Sequence, residues 1–377
     1  MRKKLLSLVL ALTMMLSMGT VAMAEGTSNT TFTDDDKVEL SKLYSIQNEG
    51  TTNPAETFNF TISKYKMSDS GYTSLDEVPN IFFDKDNDGI YDDDELKGSI
   101  SFNVGEATVS GDTNTTYITL PKYDYVGIYT YKIVENAGTT AGVTYDDNVM
   151  YLKVTAIEQN GIIRVAALHY ETDDGDKEEY FENVYAAGSL SVSKKVTGNL
   201  GDKSKYFAVK VKLTGESGKT YLDSYNVTEV SYTNNPKTIK IGEETTFYLK
   251  DGEKITISNL PYGVSYTVKE EDYTAERYDA PVYEITAEGS GTYNVDGEDV
   301  KLTAKNPVQT IGSMNSGSDK LAYITDDCDD HFVAITNNKE EAVDTGINLD
   351  SMPYILILAA VAVGGVAIIS KKRREEF

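Results

Sequence analysis

Leu190-Ser191-Val192-Ser193-Lys194-Lys195-Val196-Thr197 alternates apolar and polar residues, and Lys194 stands on the apolar side with Leu190, Val192 and Val196. In a strand, residues two apart share a face, so this spacing predicts a lysine aimed into a core. Val38-Glu39-Leu40-Ser41-Lys42 carries the same pattern, and Tyr44 and Ile46 continue the face of Lys42. Two further anchors repeat. Tyr131-Lys132-Ile133-Val134-Glu135 matches Tyr266-Thr267-Val268-Lys269-Glu270, and Phe181-Glu182-Asn183 matches Ile335-Thr336-Asn337. Lys42 and Asn183 lie 141 residues apart, Lys194 and Asn337 143. The chain is therefore read as a divergent tandem repeat.

Around these anchors, short alternating runs recur, separated by Gly, Asn and Asp: Val38–Ile46, Thr57–Ser63, Ser99–Val104, Thr116–Leu120, Ile128–Glu135, Val149–Ile157, Ile162–Tyr170 and Tyr180–Tyr185. After the small-residue joint Ala186-Ala187-Gly188 they resume at Leu190–Val196, Phe207–Leu213, Thr245–Leu249, Lys254–Leu260, Ser265–Glu270, Val282–Ala287, Val300–Ala304 and Phe332–Asn337. Strands so punctuated, with 27 Tyr and abundant Thr and Val, predict an all-β chain of two tandem immunoglobulin-like β-sandwich domains. The first spans residues 37–186 and the second 187–340, behind a flexible leader at 25–36. Gly312–Asp330, rich in Gly, Ser, Asn and Asp, reads as a loop of the second domain.

Each domain thus points a Lys, a Glu and an Asn into its core from its first, a middle and its last strand. Buried and unpaired, such groups cost several kcal/mol each, so they are expected to meet. Burial lowers a Lys pKa and raises a Glu pKa. A neutral Lys42 or Lys194 amine can then attack the side-chain carbonyl of Asn183 or Asn337, with protonated Glu135 or Glu270 assisting as catalytic acid. Ammonia leaves and an isopeptide cross-link remains. The alternative is an ordinary buried ion pair beside a hydrogen-bonded Asn, or a strand-end Lys that snorkels to solvent.

The Lys-Glu-Asn order and the segment Lys194-Lys195-Val196-Thr197-Gly198-Asn199 resemble the streptococcal-type pilin isopeptide-linkage family, which includes T-antigen-like backbone pilins. The resemblance covers roughly residues 37–377. It implies self-formed Lys–Asn bonds assisted by an acidic residue, and polymerisation of subunits by a sortase. A clear Tyr-Pro-Lys-Asn pilin motif is missing, and Lys177, shortly before Asn183, is the candidate polymerisation lysine.

The termini agree with export. Arg2, Lys3 and Lys4 precede an apolar stretch from Leu5 to Met18, and Ala22-Met23-Ala24 gives a small-residue cleavage site, so residues 1–24 read as a signal peptide. At the other end Val343-Asp344-Thr345-Gly346 precedes an apolar run at 353–369 and the basic cluster Lys371-Lys372-Arg373-Arg374. The run is long enough to serve as a transmembrane sorting helix. The arrangement of 341–377 resembles the cell-wall sorting signals of Gram-positive surface proteins, which implies cleavage between Thr345 and Gly346. Those signals carry Pro where this chain has Asp344.

Asp84-Lys85-Asp86-Asn87-Asp88-Gly89 through Asp92 to Glu95 fits the spacing of a calcium loop. Asp84, Asp86, Asp88, Asp92 and Glu95 are the candidate Ca2+ ligands, and no organic cofactor is expected. The net charge of −25 argues against nucleic acid as a partner. A single Cys, Cys328, excludes an intramolecular disulfide, and His169 and His331 are the only histidines. No Ser/His/Asp, Cys/His or zinc-type spacing supports an enzyme. The reading is a cell-surface structural protein, a sortase-processed pilus subunit anchored in the cell wall at its C-terminus. Its expected partners are a sortase, peptidoglycan or neighbouring pilin subunits, and a host-surface ligand. The alternative is a monomeric anchored adhesin that binds a host protein or glycan.

Overall fold

The computed structural model describes residues 37–86, 88–288, 294–295, 298–299, 302–304, 308–314 and 324–341. The chain is all-β apart from three short 3-10 turns among the described residues. Its strands are β1 (Lys37–Ile46), β2 (Glu56–Ser68), β3 (Lys97–Phe102), β4 (Asp112–Thr119), β5 (Gly127–Asn136), β6 (Val143–Thr144), β7 (Val149–Gln159), β8 (Ile162–Glu171) and β9 (Tyr180–Tyr185). There follow β10 (Ala187–Thr197), β11 (Phe207–Thr214), β12 (Tyr225–Thr228), β13 (Thr238–Ile239), β14 (Glu244–Leu249), β15 (Lys254–Pro261), β16 (Ser265–Glu270) and β17 (Val282–Glu288). Short strands β18 (Asn294–Val295), β19 (Glu298–Asp299), β20 (Leu302–Ala304), β21 (Val308–Thr310), β22 (Gly312–Met314) and β23 (Ile324–Cys328) precede β24 (Asp330–Asn338).

Period-two alternation puts these strands in two faced pairs of sheets, apart from β18 and β19, which pair only with each other. In the first half, a sheet of order β4-β1-β9-β6 faces one of order β3-β2-β5-β7-β8. Leu40, Tyr44, Phe58, Phe60, Tyr131, Ile133, Leu152 and Phe181 fill the space between them. In the second, β13-β12-β15-β10-β24-β17-β20 faces β14-β11-β16-β21-β22-β23, around Leu190, Val192, Val209, Val211, Phe247, Tyr266, Val268 and Ile335. In each half the first strand pairs in parallel with the last, β1 with β9 and β10 with β24, as the central pair of its sheet. A parallel pair needs a long crossover, here the rest of the half.

The halves join without a spacer, since only Ala186 separates β9 from β10. Ala186 donates its N–H to Gly142 O and accepts from Tyr262 N. The pair Thr139–Thr220 and the two hydrogen bonds between Thr52 and Asn259 tie the halves beside this joint. The small residues there are a packing requirement. A Cβ on Gly188 would lie 1.8 Å from the main-chain oxygen of Asp329.

One sequence expectation is corrected. Gly312–Asp330 is not one loop, because β22 and β23 lie inside it and pair with each other at the edge of the second sheet. Gly, Ser, Asn and Asp signal a turn by local conformation, yet an edge strand asks only for main-chain pairing. The strands β6 and β13, two residues each, are too short to show alternation, and β12 alternates over only four residues, so these three are not legible in the sequence. The signal peptide, leader and sorting segment, with Thr345, Gly346 and the apolar run, lie outside the described residues. Among the described residues no helix is long and apolar enough to cross a membrane.

Candidate functional site

Lys42 and Asn183 come from neighbouring parallel strands and Glu135 from the facing sheet. Register explains why they converge. Tyr44 pairs with Asn183, so Lys42 sits two residues back on the same inward face. In the second half Val196 pairs with Asn337, leaving Lys194 at the same offset. Glu135 and Glu270 end the inward rows Tyr131-Ile133 and Tyr266-Val268 on β5 and β16.

In the first site, Lys42 Nζ lies 2.8 Å from Glu135 Oε2, and both side chains are wholly buried. The other carboxylate oxygen, Oε1, accepts from Asn183 Nδ2 at 2.5 Å. One carboxylate therefore bridges the amine and the carboxamide. The second site repeats this, with Lys194 Nζ 2.7 Å from Glu270 Oε2 and Asn337 Nδ2 donating to Glu270 Oε1 at 2.5 Å.

Aromatic rings close each site. Lys42 Nζ lies 4.9 Å from the Phe58 ring centre, and Lys194 Nζ 4.3 Å from that of Phe207. A ring face favours an ammonium, but loss of water disfavours it more. Burial pushes the Lys42 pKa down to about 8, against the opposing pull of Glu135. Lys194 is lowered for the same reason. Burial raises Glu135 and Glu270 despite their lysine neighbours. The shifts run toward each other, so the proton of the pair moves more easily from nitrogen to oxygen. Each cluster can thus present a neutral amine and a carboxylic acid to one carboxamide.

Sequence reasoning missed the group that meets the Asn183 carbonyl. Asp146, in the turn after β6, donates its main-chain N–H to Asn183 Oδ1 at 2.6 Å. A main-chain donor leaves no signature in residue types.

The calcium-type loop is only partly assembled. Asp84, Asp86 and Asp88 hold carboxylate oxygens within 4.8 Å of one another. Asp92 and Glu95 are not brought into that group. Asp92 caps the 3-10 turn Asp93–Leu96, and the buried Glu95 carboxylate accepts the N–H groups of Lys85 and Asp92. Lys37 Nζ lies 3.4 Å from Asp84 Oδ2. Lys177 is exposed, in a bridge to Glu171 at the end of β8.

The all-β fold with its paired buried Lys–Glu–Asn clusters points to the pilins as a class, and the sequence comparisons identify the family. Residues 38–186 match the Spy0128-like isopeptide containing domain, and residues 188–307 match a domain of unknown function (DUF7601). A pilin of Streptococcus pyogenes serotype M1 is 30% identical over 261 residues, 67% of this chain and 69% of the relative. The chain belongs to this streptococcal pilin family. The pilus tip adhesin Cpa of Streptococcus pyogenes is 27% identical over 161 residues, 43% of this chain and 18% of that protein. The crystal structure of the Streptococcus pyogenes major pilin covers 82% of this chain and all of its own, with 21% identity and a TM-score of 0.48.

Proposed function

We propose that this chain is a sortase-processed subunit of a surface pilus, built of two tandem immunoglobulin-like domains at 37–186 and 187–340. Each domain carries a self-formed cross-link, Lys42–Asn183 in the first and Lys194–Asn337 in the second. One observation carries the reading: two buried Lys–Glu–Asn clusters share the same register, the same bridging carboxylate and the same direction of pKa shift.

The chemistry balances within each cluster. A proton passes from the Lys42 ammonium to Glu135, leaving a neutral amine. Nζ adds to Asn183 Cγ and the carbonyl electron pair moves onto Oδ1. Glu135 gives a proton to Nδ2 and takes one from Nζ. The Oδ1 electron pair then re-forms the carbonyl as the Cγ–Nδ2 bond breaks. The departing ammonia takes the proton held by Glu135 and leaves as ammonium, with Glu135 again the carboxylate it was at the start. Glu270 plays the same part between Lys194 and Asn337.

The bond suits a protein under tension. It joins the first strand of each domain to its parallel neighbour, the last, and β9 runs into β10 almost without interruption. Force then passes through covalent bonds and the remaining strands carry little of it. The sorting step would join Thr345, after loss of Gly346 onward, to an amine on the next subunit, with Lys177 as the candidate acceptor, or to peptidoglycan. Calcium at Asp84, Asp86 and Asp88 would displace Lys37, with Asp92 and Glu95 turning inward to complete the shell. A single anchored adhesin is the second reading, favoured by the match to a tip adhesin. A subunit gives an SDS-resistant ladder of high mass and an adhesin gives one band.

Intact mass is the decisive test. The exported region should be lighter than its sequence by two ammonia units. Glu135→Ala should restore one of them and Glu270→Ala the other. A protein at its full sequence mass would remove the proposal.

A further inference from the structure

The two clusters differ at the carbonyl that must take negative charge. Asn183 Oδ1 accepts the Asp146 N–H at 2.6 Å. Asn337 Oδ1 is buried and has no hydrogen-bond partner among the described residues. The nearby aspartate of the second half, Asp279, directs its N–H to the main-chain oxygen of Asn338 at 2.8 Å. Its carboxylate accepts from Asn338 Nδ2, again one residue past the reacting one.

The first-site donor is held from both sides. Asp146 Oδ2 accepts from Glu182 N at 2.8 Å and Oδ1 from Asn148 N at 2.9 Å. The bond from Glu182 runs opposite to that from Asp146 to Asn183, so residues 146 and 182–183 clasp each other. Strand β6 leads into the clasp, pairing Val143 with Tyr185 and Thr144 with Val184.

We propose that the Asp146 main-chain N–H is the oxyanion donor of the first cross-linking reaction, that its carboxylate is the positioning group, and that the second reaction, lacking this donor, is slower. The inference rests on the isopeptide reading. As Nζ adds to Asn183 Cγ, the charge arriving on Oδ1 meets a donor already in place, and no atom is exchanged with it. Removing one such preorganised donor costs about 100- to 1000-fold in rate in enzymes. In a site with no substrate to bind, at least about tenfold is expected here.

Charge alone predicts a different result. The Asp146 carboxylate raises both Lys42 and Glu135 through its field, and Glu182 adds to the effect on Lys42. Loss of that charge would slide both limbs of a pH–rate profile downward and leave the maximum rate unchanged. Loss of positioning would lower the maximum itself.

The test uses the full chain made by cell-free translation, quenched in denaturant at intervals and digested. Mass spectrometry then counts the Lys42–Asn183 and Lys194–Asn337 peptides from the same molecules. The first bond should form at least about tenfold faster than the second. Asp146→Ala should lower the maximum rate of the first bond, Asp146→Asn should restore part of it, and neither should alter the second. An ester in place of the amide at position 146 deletes only the N–H and should slow the first bond as strongly. Equal rates for the two bonds, or an ester variant as fast as the parent, would overturn the proposal. If Asp146→Ala does not fold, the ester variant decides alone. Failure of the isopeptide reading looks different, because neither cross-linked peptide would appear in the parent.

Discussion

Replacing Asn183 by Ala removes the acceptor of the first cross-link and leaves the Lys42–Glu135 ion pair in place. The bond would close a loop between residues 141 apart. Chain entropy for a covalent closure of that length is worth about 5 kcal/mol, by analogy with a disulfide. One local loss adds to it. The Asp146 N–H loses its Asn183 Oδ1 acceptor in a buried site, at roughly 1 kcal/mol. For a half of this size, each kcal/mol moves the melting temperature by about 3 °C. The first half should then melt about 15–20 °C lower, and the second should be unmoved. Calorimetry resolves the two transitions, and intact mass should show one ammonia lost where the parent loses two. A variant that melts with the parent, from a parent at its full sequence mass, would refute the reasoning from the cluster to the cross-link.

The remaining predictions concern titration, the acidic loop and the tail. Reaction needs one proton shared by each Lys–Glu pair, so the cross-linking rate should be bell-shaped in pH. The alkaline limb of the first site reflects Lys42 and should fall near pH 8; a rate that keeps rising well above that would contradict the shared proton. Calcium at a hundredfold excess over its Kd should stabilise the first half by about 2.7 kcal/mol, and Asp84→Ala with Glu95→Ala should abolish the gain. Identical melting curves in calcium and in chelator would count against a site linked to stability. Thr345→Ala should move the protein from the wall fraction to membrane or medium, and unchanged wall anchoring would sink the sorting role.

Much of this was legible because it is local. Period two places Lys42, Glu135 and Asn183 on the apolar faces of their own strands, whatever those strands later pair with. Repetition of the same three exceptions at Lys194, Glu270 and Asn337 then made chance burial a poor account. The class of the fold and the meeting of the three residues in each cluster therefore followed from residue order. Other features needed the assembled sheets. The two-residue offset that sets Lys42 beside Asn183 depends on the pairing of β1 with β9, strands more than a hundred residues apart. The capture of Glu95 by the N–H groups of Lys85 and Asp92 breaks up a five-ligand loop that its spacing alone would complete. The difference between the two Asn carbonyls rests on one main-chain N–H, that of Asp146. Every residue but proline has such a group, so composition and spacing are blind to where it points, and only the packed chain aims it.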